Sequence, residues 1–462
     1  MKNIFKSTRL CILTAILSIS SLSCQKLIEI DFPNNQLPID LVFGDEQTAE
    51  ASLAGLYGGL WDGSLVSGGS DGMGTTLGIY ADDLSTVFTT TNNGVEDIHR
   101  NLLLATNSSV SSVWTNAYKQ IFMANSIIEG VEKSKMLSEA SKNRIKGEAI
   151  FIRSMLYFYL YQIFGEIPYT IVTDYTVNKT LTRMPKDQFL AKVESDMALA
   201  VALLPINYRN AERIYPNKAT AEVLLAKLKM LLGKWSEAEQ LSNSVLNQSG
   251  YDFQNDLSKI FLKSSTHIIW QLKPRNANDA TKEAVLYNFT TVPTSFMLNT
   301  DLINSFAQND LRRQHYFTAV ASGAQINYKQ TKYKITTVTN TTEYSVIYRL
   351  EDVYLMLAES LIAQGKVDQA IPYINRTRQR AGLSALASSM PKDLAMDELR
   401  DERRKEFFAE HGNRFLDLKR WGILDQLSVV KPNWDVHHQY WPLPQNEMLL
   451  NSNLRPQNNG YQ

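Results

Sequence analysis

The sequence offers one candidate for a hydrolytic site, the adjacent aspartates Asp82 and Asp83. A glycosidase needs two carboxyl groups at a defined spatial separation around the bond that it cleaves. Adjacency in the sequence does not supply that separation, and acidic residues occur throughout the chain. The pair therefore indicates a helix cap or a solvated surface more strongly than it indicates catalysis.

The histidines form no catalytic or metal-binding motif. There are six, namely His99, His267, His315, His411, His437 and His438. None belongs to a metalloprotease helix pair, and no cysteine stands with them as a zinc ligand. Phosphate-binding glycine loops and a Gly-x-Ser-x-Gly nucleophile elbow are also missing. Because these motifs are missing, we predict a protein that is not an enzyme and needs no cofactor.

Cys24 carries the one thiol for which the sequence predicts chemistry. Lys2, Lys6 and Arg9 precede an apolar run over Leu10–Leu22, which is shorter than the ~20 residues of a membrane-spanning helix. This pattern is typical of a cleaved secretory signal peptide. With small residues just before it, Cys24 resembles the acylated cysteine of the bacterial lipoprotein lipobox, and we expect a lipid anchor there. The alternative is an ordinary signal peptide followed by an incidental cysteine.

Composition agrees with an exported chain. It holds only two cysteines, and Cys11 would leave with the signal peptide, so the mature protein cannot form an internal disulfide. The 47 basic and 47 acidic residues balance, which argues against a nucleic-acid partner. We expect a signal peptide over residues 1–23, a lipid-anchored tether over 24–45, and a single domain over 46–462.

Helical patterns dominate that domain, and two segments share a spacing of small residues. Ala226, Gly233 and Ala238 are spaced as Ala358, Gly365 and Ala370 are. Each set predicts a helix, a glycine turn and a second helix, with alanines where the two helices cross. The spacing resembles the tetratricopeptide repeat, in which small residues recur about 12 positions apart. The alternative is a chance match between two helical hairpins.

The segment between these hairpins, about 251–347, is irregular and rich in aromatic residues, Asn and Thr. Within it, residues 331–349 alternate in the manner of a strand, a turn and a second strand. We therefore predict a partly β insert carried on a mostly α scaffold, with long ordered coil over residues 433–462, which are rich in Pro, Asn and aromatic residues. Segments of this kind are common places for ligand contacts.

Aromatic residues make up 10% of the chain and indicate a binding surface. Sugar rings stack their C–H faces on aromatic planes, while polar neighbours bind the hydroxyl groups, and peptides use similar surfaces. Five aromatic residues lie in irregular stretches and are the predicted ligand-binding platform: Trp61, Tyr80, Trp270, Tyr287 and Phe289. The alternative for each residue is simple burial.

Several short sequence blocks in the C-terminal half, taken in their order along the chain, resemble those of a known family. They run from Arg349-Leu350-Glu351-Asp352 through Glu402-Arg403-Arg404-Lys405-Glu406 and Gly412-Asn413-Arg414-Phe415-Leu416-Asp417 to Pro442-Leu443-Pro444-Gln445. Together with Trp114-Thr115-Asn116-Ala117-Tyr118, they resemble the SusD/RagB family of outer-membrane nutrient-uptake lipoproteins. We expect the charged residues of these blocks to form a network that ties helices together: Arg349, Glu402, Arg403, Glu406, Arg414, Asp417 and Arg420.

The resemblance implies a function. Family members are cell-surface proteins that bind glycans or peptides and deliver them to a TonB-dependent outer-membrane channel of the SusC type. The chain is then expected at the outer membrane, facing outward and anchored by lipid. The alternatives are an exported glycan hydrolase and a structural subunit that binds only proteins.

Overall fold

The helical periodicity of the sequence is realised over most of residues 42–461, which the computed structural model describes. Helix accounts for 53% and strand for 7%. Cys24 and residues 1–41 lie outside the described residues, and so does Gln462. The first seven helices are α1 Glu46–Gly63, α2 Met73–Tyr80, α3 Val95–His99, α4 Ser108–Lys133, α5 Glu139–Phe164, α6 Tyr175–Asn178 and α7 Lys186–Leu203.

Ten further helices complete the scaffold. They are α8 Lys218–Leu231, α9 Trp235–Leu246, α10 Lys282–Tyr287, α11 Thr300–Ser305, α12 Arg312–His315, α13 Leu350–Ala363, α14 Val367–Arg380, α15 Lys392–Phe407, α16 Asn413–Arg420 and α17 Gln445–Leu450. The long ones pack in series: α1 on α4, α4 on α5, α5 on α7, α7 on α8, α8 on α9, α9 on α13 and α13 on α14. Such a row, in which each helix packs on its neighbours in the series, is the arrangement of tetratricopeptide-like scaffolds.

The predicted helical hairpins are confirmed. Gly233 lies in the turn after α8 and has a φ of +69°. Gly365 lies in the turn after α13 and has a φ of +80°. All four predicted crossing alanines are fully buried: Ala226, Ala238, Ala358 and Ala370. Although the two hairpins are far apart in the sequence, α9 packs directly on α13, so they are neighbours in one stack.

Within residues 42–461, strands form only small antiparallel sheets. They are β1 Leu84–Thr86, β2 Ile268–Leu272, β3 Phe296–Leu298, β4 Phe317–Ser322, β5 Gln325–Gln330 and β6 Ser345–Arg349. One sheet has the order β1-β3-β5-β4, with Leu84 opposite Leu298 and Phe317 opposite Gln330. The other pairs β2 with β6, with Ile268 opposite Arg349.

The predicted β hairpin over 331–349 is wrong in its first half. Residues 345–349 form β6, but β6 pairs with β2, and residues 331–344 belong to no strand. The carboxylate of Glu343 accepts hydrogen bonds from the backbone N–H groups of Lys334 and Ile335 at 3.0 and 3.2 Å. Because these donors bind a side chain, they are not available to a strand partner. The hairpin of this region is β4–β5, which the sequence analysis does not predict and in which buried and exposed residues do not alternate regularly.

The predicted charge network is confirmed, and Glu406 lies at its centre. Its buried carboxylate accepts from Arg349 Nη1 at 2.5 Å, Arg380 Nη2 at 2.6 Å and Arg312 Nη1 at 3.3 Å. Tyr316 also donates its hydroxyl to Glu406 at 3.1 Å. Burial alone would raise the pKa of Glu406, but the three guanidinium groups outweigh it and hold that pKa well below its ordinary value.

The other network residues are ion-paired around this centre. Glu402 binds Arg312 at 2.9 Å, and Arg403 joins Asp352 and Asp417 at 3.1 and 2.7 Å. Arg420 reaches Glu359 at 2.7 Å, and Arg414 reaches Asp82 at 2.7 Å. The network therefore connects the insert, β6, α13, α14, α15 and α16.

Across residues 42–461, we find no helix with the length and apolar character that a bilayer crossing requires.

The Glu406→Gln variant should lower the free energy of unfolding by about 3–5 kcal/mol, because it leaves buried guanidinium groups without their counter-charge. Chemical denaturation followed by circular dichroism measures this. The control is Glu139→Gln, which removes an exposed ion pair with Lys142 at 3.1 Å and should cost less than about 1 kcal/mol. Equal losses in the two variants would refute a central role for Glu406.

The same carboxylate should also make stability depend on pH. Because its folded-state pKa is lowered, the stabilisation is fully present above the unfolded value of about 4.3 and is lost as the pH falls below it. Wild-type protein should therefore lose more stability than Glu406→Gln between about pH 5 and pH 2. Parallel denaturation curves across this range would contradict the assignment.

Candidate functional site

The structure buries all five aromatic residues of the predicted platform. Their exposed fractions are 6% for Trp61, 0% for Tyr80, 0% for Trp270, 2% for Tyr287 and 8% for Phe289. Each ring is covered by protein, so none offers a face to a sugar in this conformation. The five do not share a cleft, and their role in ligand binding remains an untested prediction.

Their contacts are those of core residues. Trp270 donates its indole N–H to the carbonyl of Ile214 at 3.1 Å and packs edge-on against Phe151. Tyr80 packs against Phe415, and its hydroxyl donates to the carbonyl of His438 at 3.0 Å. The predicted irregular stretches are wrong for four of the five residues, because Trp61, Tyr80 and Tyr287 lie in the helices α1, α2 and α10 and Trp270 lies in the strand β2.

Asp82 and Asp83 are also buried, and the predicted helix cap or solvated surface is wrong for them. Asp82 pairs with Arg404 and Arg414 at 2.8 and 2.7 Å. Burial would raise the pKa of Asp82, but these arginines lower it overall. Asp83 accepts from the backbone N–H of Ala409 at 3.0 Å, and burial together with Asp82 raises its pKa to about 6. The pair fastens α2 to the C-terminal blocks.

The structure instead presents an aromatic cleft of about 450 Å³ between α4, residues 168–181 and α17. We call it the α4 groove. A cleft of this size, lined by rings and a few polar groups, is the common form of a small-ligand site.

One wall is a ladder of aromatic rings on α4. Trp114, Tyr118 and Phe122 follow one another at intervals of four residues, so they share a helix face. The rings of Trp114 and Tyr118 are 4.8 Å apart, and Phe122 is 48% exposed. Trp114 is only 3% exposed and meets Phe164 of α5 edge-on at 5.2 Å, so Phe122 is the exposed end of the ladder.

The second wall is residues 168–181, which polar contacts attach to α4 and α5. Tyr118 donates its hydroxyl to the carbonyl of Pro168 at 2.7 Å, and Asn125 donates to the carbonyl of Thr170 at 3.1 Å. Tyr157 reaches the same carbonyl at 2.9 Å. Tyr175, at the start of α6, stands 74% exposed at the rim. The wall is therefore fixed in position while its outermost ring stays accessible.

The third wall is α17 with the residues that follow it. Asn451 donates its side-chain amide to the carbonyl of Leu181 at 2.8 Å, which joins this wall to the second. Leu450 is 80% exposed beside the groove. The C-terminal residues thus close a cleft that the first half of the chain begins.

Few charged groups line the α4 groove. Lys119 and Lys179 are exposed, and neither pairs with a carboxylate within residues 42–461. Glu447 is half-buried, and burial raises its pKa. Of the described lining residues it is the one carboxylate, so the groove lacks the pair that a glycosidase mechanism uses. The arrangement is suited to binding a ring-shaped ligand.

Metal coordination is not supported by the described part of the chain, where no three His, Cys, Asp or Glu side chains are placed to hold an ion.

The sequence does not predict this groove, although Trp114 and Tyr118 belong to a block that resembles the family. Trp114, Tyr118 and Phe122 lie on a helix at core-like spacing, so the sequence alone does not distinguish them from buried residues. The available signal was Phe122, which extends the ring ladder beside the polar residues Thr115 and Lys119.

Comparisons with known proteins find similarity to SusD-like proteins over most of the chain. A family described as "Starch-binding associating with outer membrane" matches residues 52–230, and the SusD family matches residues 325–433. SusD-like protein P25 of Formosa agariphila is 25% identical, over 97% of this chain and 99% of that protein.

Solved structures share the fold. A SusD superfamily protein from Bacteroides vulgatus superposes with a TM-score of 0.77 at 22% identity, covering 90% of this chain and 99% of that one. Surface glycan-binding protein A from Bacteroides thetaiotaomicron, in complex with laminarihexaose, gives 0.75 at 19% identity, covering 89% and 99%.

Trp270→Ala should lower the free energy of unfolding by about 3–5 kcal/mol, because it empties a fully buried site. Phe122→Ala, at a half-exposed position, should cost less than about 1.5 kcal/mol. Thermal and chemical denaturation of both variants measure the difference. A stable Trp270→Ala protein with impaired ligand binding would instead restore Trp270 to the predicted platform.

Proposed function

We propose that this chain, which belongs to the SusD/RagB family, is a cell-surface lipoprotein that captures an oligosaccharide without cleaving it. The observation that carries the proposal is the ring ladder of the α4 groove, with polar side chains beside it. Two structural neighbours are named for laminarin or laminarihexaose, which makes a glycan the first ligand to test.

The groove matches the chemistry of a sugar. Phe122 and Tyr175 supply accessible ring faces on opposite walls, and Asn178 and Asn451 supply amides near the same space. Apolar faces favour the C–H surface of a pyranose, and amides form hydrogen bonds with its hydroxyl groups. A peptide with aromatic side chains is the alternative ligand.

Capture is proposed as the first step of uptake. A lipid on Cys24, outside the described residues, would hold the domain at the outer membrane with residues 24–45 as its tether. The ligand would then pass to a TonB-dependent channel of the SusC type. A stacked helical scaffold offers extended surfaces of the kind that bind protein partners.

A protein-binding role is the second candidate, and exposed apolar residues beside the groove favour it. Leu449 is 67% exposed, Leu450 is 80% exposed and Val177 is 44% exposed. Clusters of exposed apolar side chains mark protein interaction sites. Under this reading, the variants described next would weaken association with the channel and leave glycan affinity unchanged.

Phe122→Ala and Tyr175→Ala should each weaken oligosaccharide binding by about 1–2 kcal/mol, or roughly 5- to 30-fold in Kd, because each removes a ring face. Isothermal titration calorimetry of a soluble form beginning after Cys24 measures this against a glycan panel, with chromatography to detect cleavage products. Met136→Ala removes an apolar side chain that is 75% exposed and lies outside the groove, and it serves as the matched control. Unchanged affinity in both ring variants, or the appearance of cleavage products, would refute the proposal.

Cys24→Ala should release the protein from the membrane fraction, because stable anchoring depends on the acyl chains. Fractionation of cells that express the full chain, followed by immunoblotting, measures this. Cys11→Ala is the control and should leave the protein membrane-bound. If the Cys24→Ala protein stays in the membrane fraction, something other than a lipid on Cys24 holds it there.

A further inference from the structure

A second cleft lies on the other side of α17. It has a volume of about 710 Å³ and lies between the loop 101–106, residues 433–438 and the C-terminal residues Gly460 and Tyr461. We call it the loop groove. Gln445 lines it, whereas Glu447 and Leu450 of the same helix line the α4 groove. Gln445 and Glu447 are two positions apart, so they point to nearly opposite sides of the helix and α17 lies between the two grooves.

Backbone hydrogen bonds link the elements that line the loop groove to those that line the α4 groove. Gln445 donates its N–H to the carbonyl of Ala105 at 2.9 Å, which holds the start of α17 against the loop. Asn107 then caps α4 by accepting from the N–H of Ser109 at 2.9 Å. The helix that carries the ring ladder therefore begins directly after the loop that lines the second cleft.

Three rings form one side of the loop groove. His437 and His438 have ring centres 3.9 Å apart, and Tyr461 meets His437 edge-on at 5.1 Å. Leu102 and Leu104 contribute apolar surface and are 41% and 58% exposed. The cleft therefore offers planar and apolar surface comparable in kind to the ladder of α4.

Polar groups of defined orientation accompany these rings. The backbone N–H of Asp435 donates to Nδ1 of His438 at 2.9 Å, so Nδ1 accepts and Nε2 carries the proton in the neutral ring. Burial, with His437 beside it, lowers the pKa of His438 to about 4, so this ring is neutral at physiological pH. Thr106 and Gln445 are exposed at the rim and can bind hydroxyl groups.

An unsatisfied acceptor lies at the same place. Asn101 is 1% exposed and lines the groove, with a φ of +55° that its short polar side chain tolerates. Its amide nitrogen donates to the carbonyl of Tyr80 at 3.0 Å, but its side-chain oxygen has no partner within the described residues. Buried acceptors of this kind call for a donor, and a hydroxyl group can be one.

The charge of the loop groove differs from that of its neighbour. No Lys, Arg, Asp or Glu is among its described lining residues, whereas Lys119, Lys179 and Glu447 line the α4 groove. Removing a charged ligand group from water without a counter-charge is costly, so an uncharged lining favours an uncharged ligand.

We propose that the loop groove is a second subsite, for neutral sugar residues, and that a long oligosaccharide lies across α17 with its ends in the two grooves. The proposal rests on the proposed function, because it assigns the α4 groove to the same ligand. Two subsites on one rigid surface bind one long ligand more tightly than either subsite binds a short one.

The test compares ligand lengths. The double variant Leu104→Ala with Gln445→Ala removes two exposed side chains of the loop groove, and its fold is checked by its melting temperature. Leu394→Ala, at a position that is 54% exposed and remote from both grooves, is the control. The probes are laminarihexaose, cellohexaose, xylohexaose and mannohexaose, each with its disaccharide, titrated by calorimetry.

The double variant should raise Kd for the bound hexasaccharide by about 10-fold and change disaccharide affinity by a smaller factor, because a disaccharide occupies one groove at a time, whereas Phe122→Ala should weaken both. Unchanged hexasaccharide affinity in the double variant, with loss in Phe122→Ala, overturns the second subsite and keeps the proposed function. A wild-type protein that binds none of the eight probes contradicts the second subsite for neutral sugars. If acidic oligosaccharides then bind and Phe122→Ala weakens them, the proposed function survives alone.

Discussion

A single buried carboxylate holds the insert to the helical stack. Glu406 of α15 receives guanidinium groups from α12, β6 and α14, three elements that lie far apart in the sequence. Its environment is so low in water that each charge depends on the others for compensation. These buried ion pairs therefore fix the position of the irregular insert on the scaffold. The surface loops of the insert are fixed in position with it.

The packing of the helices also determines where the grooves lie. The stack uses most faces of its helices for packing, but α1 and α5 cover only part of α4, and Phe122 at the end of the ring ladder is left 48% exposed. Residues 168–181 and α17 then lean over that face without sealing it. Hydrogen bonds to the backbone carbonyls of Pro168, Thr170 and Leu181 set the width of the opening. The cleft is thus a consequence of how the end of the stack is covered.

The fold could be predicted from the sequence further than the site could. Ala226, Gly233 and Ala238 encode a local geometry, and local geometry can be deduced from spacing. The exposure of a ring depends on what covers it, and for Tyr80 the cover comes from Phe415 and Trp434, more than 300 positions away. The charged blocks were predicted as a network, but the partner Arg312 lies in the insert and belongs to no recognised block.

The grooves draw their walls from both halves of the chain, and this has a consequence for timing. Residues 101–181 leave the ribosome well before α17 and Tyr461, which lie more than 250 positions later in the sequence. Neither cleft exists until the C-terminal segment has docked on the finished scaffold. Both clefts therefore form only after α17 and Tyr461 have packed against the earlier residues, and a protein cut before residue 445 would carry the stack without the clefts.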